Sequence, residues 1–513
     1  MRLREREKLL LATLSGLMLT ASFPPGDAGW VAWFALLPLL LSLNRTPPSR
    51  AFRLGFAAGM AHYLTLVYWV IVAMSHYGGL NLVISTSVMV LLCLYLSLYP
   101  AFFSYLCVLF EAKRFFVFQT AALWVLLEYL RGKLLTGFPW CLLGYTQYGF
   151  IDLIQVADMV GVYGLSFVIV ALNGFVHSIG FRGTAARKTT LTWELPLVLV
   201  MFLFVFLYGD YRLSENRSGE KEDPFLKVAI IQGNIDQSVK WNPEYQRKTL
   251  EVYERLSLST RASTPDLLVW PETAVPFFFQ EGNELARKVL EIGEEIGAEF
   301  IFGSPAYERE ENAVRYYNRV YLLTSGRETP AHYDKVHLVP FGEYVPLKKF
   351  LPFVNRLVPA AGDFAPGKGI EPLRSPLVSS GILICFEAIF PEIARKQVER
   401  GAQILVNVTN DAWFGRTSAP FQHLSMAALR AVENHRPLVR AANTGISAFI
   451  DSRGRTVQES VLFREAVLSA EVRLPGPTRT FYNRYGDVFV ALVFAIMLII
   501  LFPKLCYNRK LLE

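Results

Sequence analysis

The chain carries two kinds of hydrophobic pattern. Over residues 1–210, apolar runs alternate with short polar stretches; the runs cover 9–23, 30–43, 54–74, 80–110, 115–129, 159–179 and 191–208, and one more covers 488–502. A helix needs roughly 17–25 apolar residues to cross a bilayer. The first two runs are short for that and read as two short spans or as a re-entrant hairpin. Counting both as spans predicts a polytopic α-helical membrane protein with about eight crossings, seven of them before residue 210.

Residues 225–475 read differently. Short β-branched runs at 227–231, 267–269, 300–303, 320–324, 377–385, 404–409, 447–451 and 466–472 alternate with helical stretches at 245–260, 284–297, 391–400 and 425–435. That alternation predicts an α/β domain with a mixed or parallel core. A polar linker, 216–223, joins it to the apolar half, and a terminal apolar helix with a tail, 486–513, follows it.

Charge orients this arrangement. Basic residues fill segments 1–8, 44–53, 111–114, 181–188 and 504–510, whereas loop 75–80 has none. By the positive-inside rule the basic loops and both termini face the cytoplasm, which puts 211–485 on the opposite, periplasmic side of a bacterial inner membrane. Loop 131–155 departs from the alternation, because it is an outer loop that holds Arg131 and Lys133. The net charge of +7 is then topology signal and not a nucleic-acid footprint. An apolar fraction of 52% beside a charged fraction of 19% fits a part-membrane chain. A cleaved signal peptide is the alternative for the first run, opposed by the PPGDAG that follows it. Glu128, Asp158 and Glu194 lie near the ends of apolar runs, where interfacial solvation is expected.

Of five cysteines, only Cys385 falls within 225–475, so no disulfide framework is available to that domain. Cys385 ends the apolar run Ile382-Leu383-Ile384, and Glu387 follows two positions later. A thiol at a strand-to-helix turn reads as a nucleophile that needs a base or a cation, or else as an inert buried cysteine. Three other segments bear on the choice. Leu268-Val269-Trp270-Pro271-Glu272 presents a carboxylate where proline stops a strand. The stretch from His332 to Pro346 sets Lys335 and Glu343 among aromatics and prolines, and NVTNDAWFG at 407–415 is another strand running into an aromatic loop. No clustered Cys/His ligands and no glycine-rich phosphate loop appear, so neither a metal nor a cofactor is predicted.

Taken together, WPE, DKVHLVPFGEYVP and ICFE, in the order Glu, Lys, Cys, resemble the three motifs of the nitrilase superfamily. The resemblance implies a four-layer αββα sandwich with a Glu272–Lys335–Cys385 triad. Such a domain between seven membrane spans and one more looks like the apolipoprotein N-acyltransferase family. That resemblance implies a Cys385 nucleophile, a Glu272 general base and a Lys335 cation that stabilises thiolate and oxyanion with help from a backbone amide next to Cys385. It implies supporting roles for Glu343, Glu387, Trp241 and Trp413, and it departs from the family at Phe386, where tyrosine is more usual. The expected reaction passes an acyl chain from a phospholipid donor to the amine of a diacylglyceryl lipoprotein acceptor, by a protein that is a monomer. The alternatives are a membrane-tethered amidase or nitrilase, and a transporter or receptor with an inactive outer domain. Pro276-Phe277-Phe278-Phe279 and 350–354 are apolar loops expected to serve as a lid or to be covered by membrane contact or mutual packing.

Overall fold

The structure is a computed structural model that describes residues 3–26, 28–111, 114–219, 224–237, 240, 242–311, 313–324, 326, 329–344 and 363–509, with 215–219 and 500–509 as backbone alone. Two compact units emerge: Met1–Tyr68, Thr86–Glu215 and Tyr485–Glu513 form one, and Trp69–Ser85 with Asn216–Arg484 form the other.

The first unit is helical. Each apolar run of the sequence becomes a helix, but length and composition divide them. Leu82–Leu109, Ala157–Phe181 and Thr184–Ser214 are long and apolar enough to cross a membrane, and a fourth span arises if Pro48–Leu66 and Trp69–Tyr77, bent by 47°, count as one. Among the described residues three or four spans pass this test by length and composition, so the expected figure of about eight crossings is not confirmed. Glu5–Ala21 and Phe116–Arg131 have 17 and 16 residues, and Gly29–Leu43 and Val488–Ile499 are shorter apolar helices.

The three acids at the run ends are not solvated there; all are buried. Glu128 accepts from the Leu143 amide at 2.8 Å, and Glu194 accepts from the Val117 amide at 2.9 Å and from the Thr190 hydroxyl at 2.7 Å. Asp158 pairs with Arg212 at 2.8 Å and accepts from the Tyr208 hydroxyl at 2.8 Å. Arg131, which broke the charge alternation, is also buried and donates to the Trp140 carbonyl at 3.0 Å. A charge in apolar surroundings persists only when paired or hydrogen-bonded, so these residues serve as internal ties.

Among its described residues the second unit contains twelve strands: β1 (Phe225–Gln232), β2 (Leu267–Val269), β3 (Glu299–Glu310), β4 (Ala313–Leu323), β5 (Ala331–Asp334), β6 (Leu373–Arg374), β7 (Ser379–Ile384), β8 (Ile404–Thr409), β9 (Leu438–Ala442), β10 (Ala448–Ile450), β11 (Thr456–Glu459) and β12 (Ala466–Arg473). They form two six-stranded sheets, ordered β12-β1-β2-β3-β4-β5 and β11-β10-β9-β8-β7-β6. In each, three central strands are parallel and the edges antiparallel. Helices join the parallel strands: Pro243–Leu258 and Glu284–Ile296 in the first half, Pro391–Glu399 and Ala419–Asn434 in the second.

Patterning explains the layers. In Glu284–Ile296 the buried residues Ala286, Val289 and Ile292 fall on one face and join an apolar cluster with Phe300 and Phe302 of β3. Asn283 caps this helix by accepting from the Ala286 amide at 2.9 Å, a device that stabilises by about 1 kcal/mol, and Gly297 ends it at φ +74°. Phe277 and Phe279 belong to the same cluster, so the first loop expected to form a lid is covered by mutual packing. The second, 350–354, lies outside the described residues. The sheets meet through polar side chains as well as apolar ones: Gln232 of β1 accepts from the hydroxyls of Ser447 and Ser460, at 2.6 and 2.8 Å.

Candidate active site

Four strand ends and one strand interior converge on a buried cluster of charge. β2 runs through Trp270 into Pro271, and Glu272 follows, itself buried. Gly303 of β3 permits this turn: a Cβ there would lie 2.4 Å from the Thr273 amide nitrogen and 2.9 Å from the Glu272 Cα. One Glu272 oxygen accepts from the Asn318 side-chain amide at 2.7 Å, the other from the Asn410 backbone amide at 2.9 Å. Both oxygens are thus oriented by donors on separate sheets.

β5 delivers Lys335, which is 1% exposed. Its ammonium lies 2.9 Å from Glu343 and 3.9 Å from Glu272. Glu343 also accepts from the Asn318 amide at 3.0 Å and the Val339 amide at 2.8 Å. Burial pulls the Lys335 pKa down, but the charges of Glu343 and Glu272 outweigh it, and the net shift is upward. Lys335 is a fixed cation, and as such it does not act as a proton donor.

β7 ends at Ile384, and Cys385 then takes φ +50°, a left-handed conformation uncommon for non-glycine residues. The chain turns through Cys385–Ile389 into the helix Pro391–Glu399. Burial and, after it, the Glu272 charge push the thiol pKa up; Lys335 and a hydrogen bond from Thr409 oppose this. The resting group is therefore a thiol, and attack requires its proton to leave as the new bond forms.

Glu387 holds the Lys335 and Cys385 segments together. It accepts from the Val336 amide at 2.7 Å and the His337 amide at 3.2 Å on one side, and from the Ile384 amide at 2.8 Å on the other. The Tyr333 hydroxyl donates to it at 3.2 Å. Burial pushes its carboxyl up to about 7 against the pull of those amides and of Lys335. Glu387 is fully buried.

Of the remaining residues expected at the site, Trp413 is half-buried in the turn Asp411–Phe414 after β8, with its ring 5.9 Å from that of Tyr77. Trp241 lies outside the described residues. Phe386 is buried, its ring 5.3 Å from Phe390 and 6.0 Å from His337. Sequence reasoning missed Asn318, which bridges the two carboxylates from the interior of β4, and Asn410, whose amide orients Glu272. It also missed Lys240, 1% exposed with its ammonium 3.5 Å from the Glu272 carbonyl; burial draws it down to about 8, against the Glu272 charge. The available signal for Asn410 was its place in NVTNDAWFG; Asn318 and Lys240 had none beyond being polar residues beside predicted elements.

The arrangement can carry out nucleophilic acyl transfer. A protonated thiol sits on a strained turn within the field of a carboxylate and of a fixed ammonium, the combination that a thioester route through a tetrahedral oxyanion needs.

Comparison with known proteins agrees with that chemistry. Residues 15–175 match the Apolipoprotein N-acyltransferase N-terminal domain, and residues 227–480 match the Carbon-nitrogen hydrolase family. An apolipoprotein N-acyltransferase of Geobacter metallireducens is 49% identical over 488 residues, covering 94% of this chain and 92% of that protein. One from Haemophilus influenzae is 33% identical, covering 93% and 91%. Among solved structures, a carbon-nitrogen hydrolase from Helicobacter pylori is 15% identical with a TM-score of 0.40, over 52% of this chain and 95% of that one. On the identity and coverage of the two acyltransferase relatives, the chain belongs to the apolipoprotein N-acyltransferase family.

Proposed function

We propose that this acyltransferase moves a fatty acyl chain from a membrane phospholipid, through a thioester on Cys385, to the N-terminal amine of a diacylglyceryl-cysteine on a lipoprotein. The observation that carries the reading is the burial of Lys335 between Glu343 and Glu272, in the field of the Cys385 thiol. In the first half-reaction, Cys385 Sγ attacks the ester carbonyl carbon while Glu272 takes the thiol proton. The carbonyl electron pair moves onto oxygen, where the Lys335 ammonium and a backbone amide beside Cys385 stabilise it. Collapse breaks the ester C–O bond, and the departing lysophospholipid oxygen recovers the proton from Glu272. In the second, the acceptor amine attacks the thioester, loses a proton to Glu272 and expels the thiolate, which is reprotonated. One ester is consumed and one amide formed, with no water entering.

Both substrates are anchored in a bilayer, which gives a physical reason for joining a hydrolase-like domain to apolar helices. The fuller reading has about eight crossings, the domain at 225–475 on the periplasmic face of the inner membrane, and a chain acting as a monomer. Glu343 and Glu387 position Lys335 and Cys385, and Trp413 has a supporting role, as has Trp241, which lies outside the described residues. The test is transfer of a labelled acyl chain from phospholipid vesicles to a diacylated lipopeptide with a free N-terminal amine. Label should appear as amide on that peptide and not on its N-acetylated counterpart. Release of the label as free fatty acid, whether or not lipopeptide is present, refutes the reading in favour of a hydrolase.

A further inference from the structure

Behind the nucleophile lies a second set of buried polar residues that the mechanism above leaves unused. His423, on the helix Ala419–Asn434, is fully buried, and its Nε2 lies 3.1 Å from the Cys385 carbonyl oxygen. A carbonyl can only accept, so Nε2 carries a proton and donates. The other ring nitrogen, Nδ1, lies 3.1 Å from an Asp411 oxygen and 3.1 Å from Arg440 Nη2. Burial and then the Arg440 charge press the ring towards its neutral form, so Nδ1 accepts from Arg440.

Arg440 is itself pinned on three sides. Its Nη2 donates to Asp411 at 2.7 Å, its Nε to the Ile446 carbonyl at 3.1 Å, and its Nη1 to the Asn407 side chain. Asn407 in turn donates to the Leu383 carbonyl in the strand that leads to the nucleophile, at 2.8 Å. Burial works against the Asp411 charge, but the Arg440 charge holds Asp411 down to about 2, and Asp411 also accepts from Thr409 at 2.9 Å. The imidazole therefore has one tautomer and one orientation, both set by residues of β8, the turn after it, and β9.

That orientation bears on the reaction through geometry. Cys385 sits at φ +50°, and no glycine relieves the turn. Its carbonyl belongs to the same rigid peptide plane as the amide of residue 386. Fixing the carbonyl oxygen fixes that amide, and a hydrogen bond accepted at the oxygen polarises the N–H on the far side of the plane. We propose that His423 is a positioning residue for acyl transfer: locked by Arg440, which Asp411 holds in place, it holds the Cys385 carbonyl and so aims the following amide at the oxyanion that forms on the acyl carbonyl. The inference rests on the thioester reading of Cys385.

The test compares two reactions of the same thiol in the full-length protein. Thioester formation from phospholipid passes through an oxyanion; alkylation by iodoacetamide does not. His423→Leu should slow thioester formation at saturating phospholipid by about 10–100-fold, the range expected when one oxyanion donor is misplaced. KM for phospholipid and the rate and pH profile of alkylation should stay within about twofold, since neither involves that donor. His423→Gln, whose side-chain amide can donate from a similar position, should recover most of the loss. Parallel loss of acylation and alkylation, or no rescue by glutamine, would make His423 a packing residue and overturn the proposal, as would unchanged acylation in His423→Leu. A wild-type protein that alkylates but forms no thioester overturns the functional reading and this inference together.

Discussion

The helical unit and the catalytic unit both bury charge, and they do so to different ends. In the helical unit each charge is matched by partners of its own. Asp158 is matched by Arg212 and Tyr208, Glu194 by one backbone amide and one hydroxyl, and Arg131 by a carbonyl of the loop beside it. In the catalytic unit the charges converge. Two carboxylates and a thiol share one ammonium, and an asparagine amide links the carboxylates. A separately matched charge ties elements together, whereas a convergent set makes a field at a point. Burial alone does not mark a functional site; convergence from several chain segments does.

Breaking the two kinds of charge should separate their effects. Lys335→Met is expected to lower acyl transfer by about 10²–10³-fold, the cost of losing one preorganised oxyanion stabiliser. It should also slow alkylation of Cys385, because the removed cation lowers the thiol pKa. Steady-state transfer and iodoacetamide kinetics on the purified variant check both halves. Near-normal transfer would mean that the convergent set is structural.

Glu272→Gln sharpens the same point by moving two readouts in opposite directions. Transfer should be lost with the base. Alkylation at a given pH should become faster, because the carboxylate disfavours the thiolate and its removal lowers the thiol pKa. In the wild type, burial and Glu272 raise the thiol, so the alkylation rate should climb through pH 9 without a plateau. A plateau near the ordinary thiol value of about 8.5 would contradict this account of the site.

The smallest catalytic effect belongs to the helical unit. Arg212→Ala leaves Asp158 buried without its cation and should destabilise the protein by about 2–3 kcal/mol, read as a lowered unfolding temperature in detergent. Transfer per folded molecule should stay within about twofold. A large loss of turnover without loss of stability would erase the distinction between the units.

The legible parts of this molecule are those whose physics is local. Strands β2 and β8 coincide with the β-branched, apolar-rich runs at 267–269 and 404–409, because strands buried on both faces read as largely apolar stretches. The turn at Cys385 and the proline stop before Glu272 were visible for the same reason. β9 was missed because Arg440 in its centre reads as exposed; only the distant Asp411 and Asn407 make that burial tolerable. β4 was expected to begin at Val320 but begins at Ala313. The omitted part carries Arg315, Asn318 and Arg319, and the Asn318 side chain lines the site, so the apolar signal starts only beyond it. Glu128, Asp158 and Glu194 were misjudged because their partners come from other segments. The same holds for the crossings: apolar runs were plain, while the length of each helix depended on where it ends.

The most direct test of the central claim is intact-mass analysis of the full-length protein after incubation with phospholipid and no acceptor. The account predicts a gain of one fatty acyl chain, removed by hydroxylamine and absent from Cys385→Ala. A wild-type protein that gains no mass while its Cys385 thiol stays free and alkylatable would contradict it.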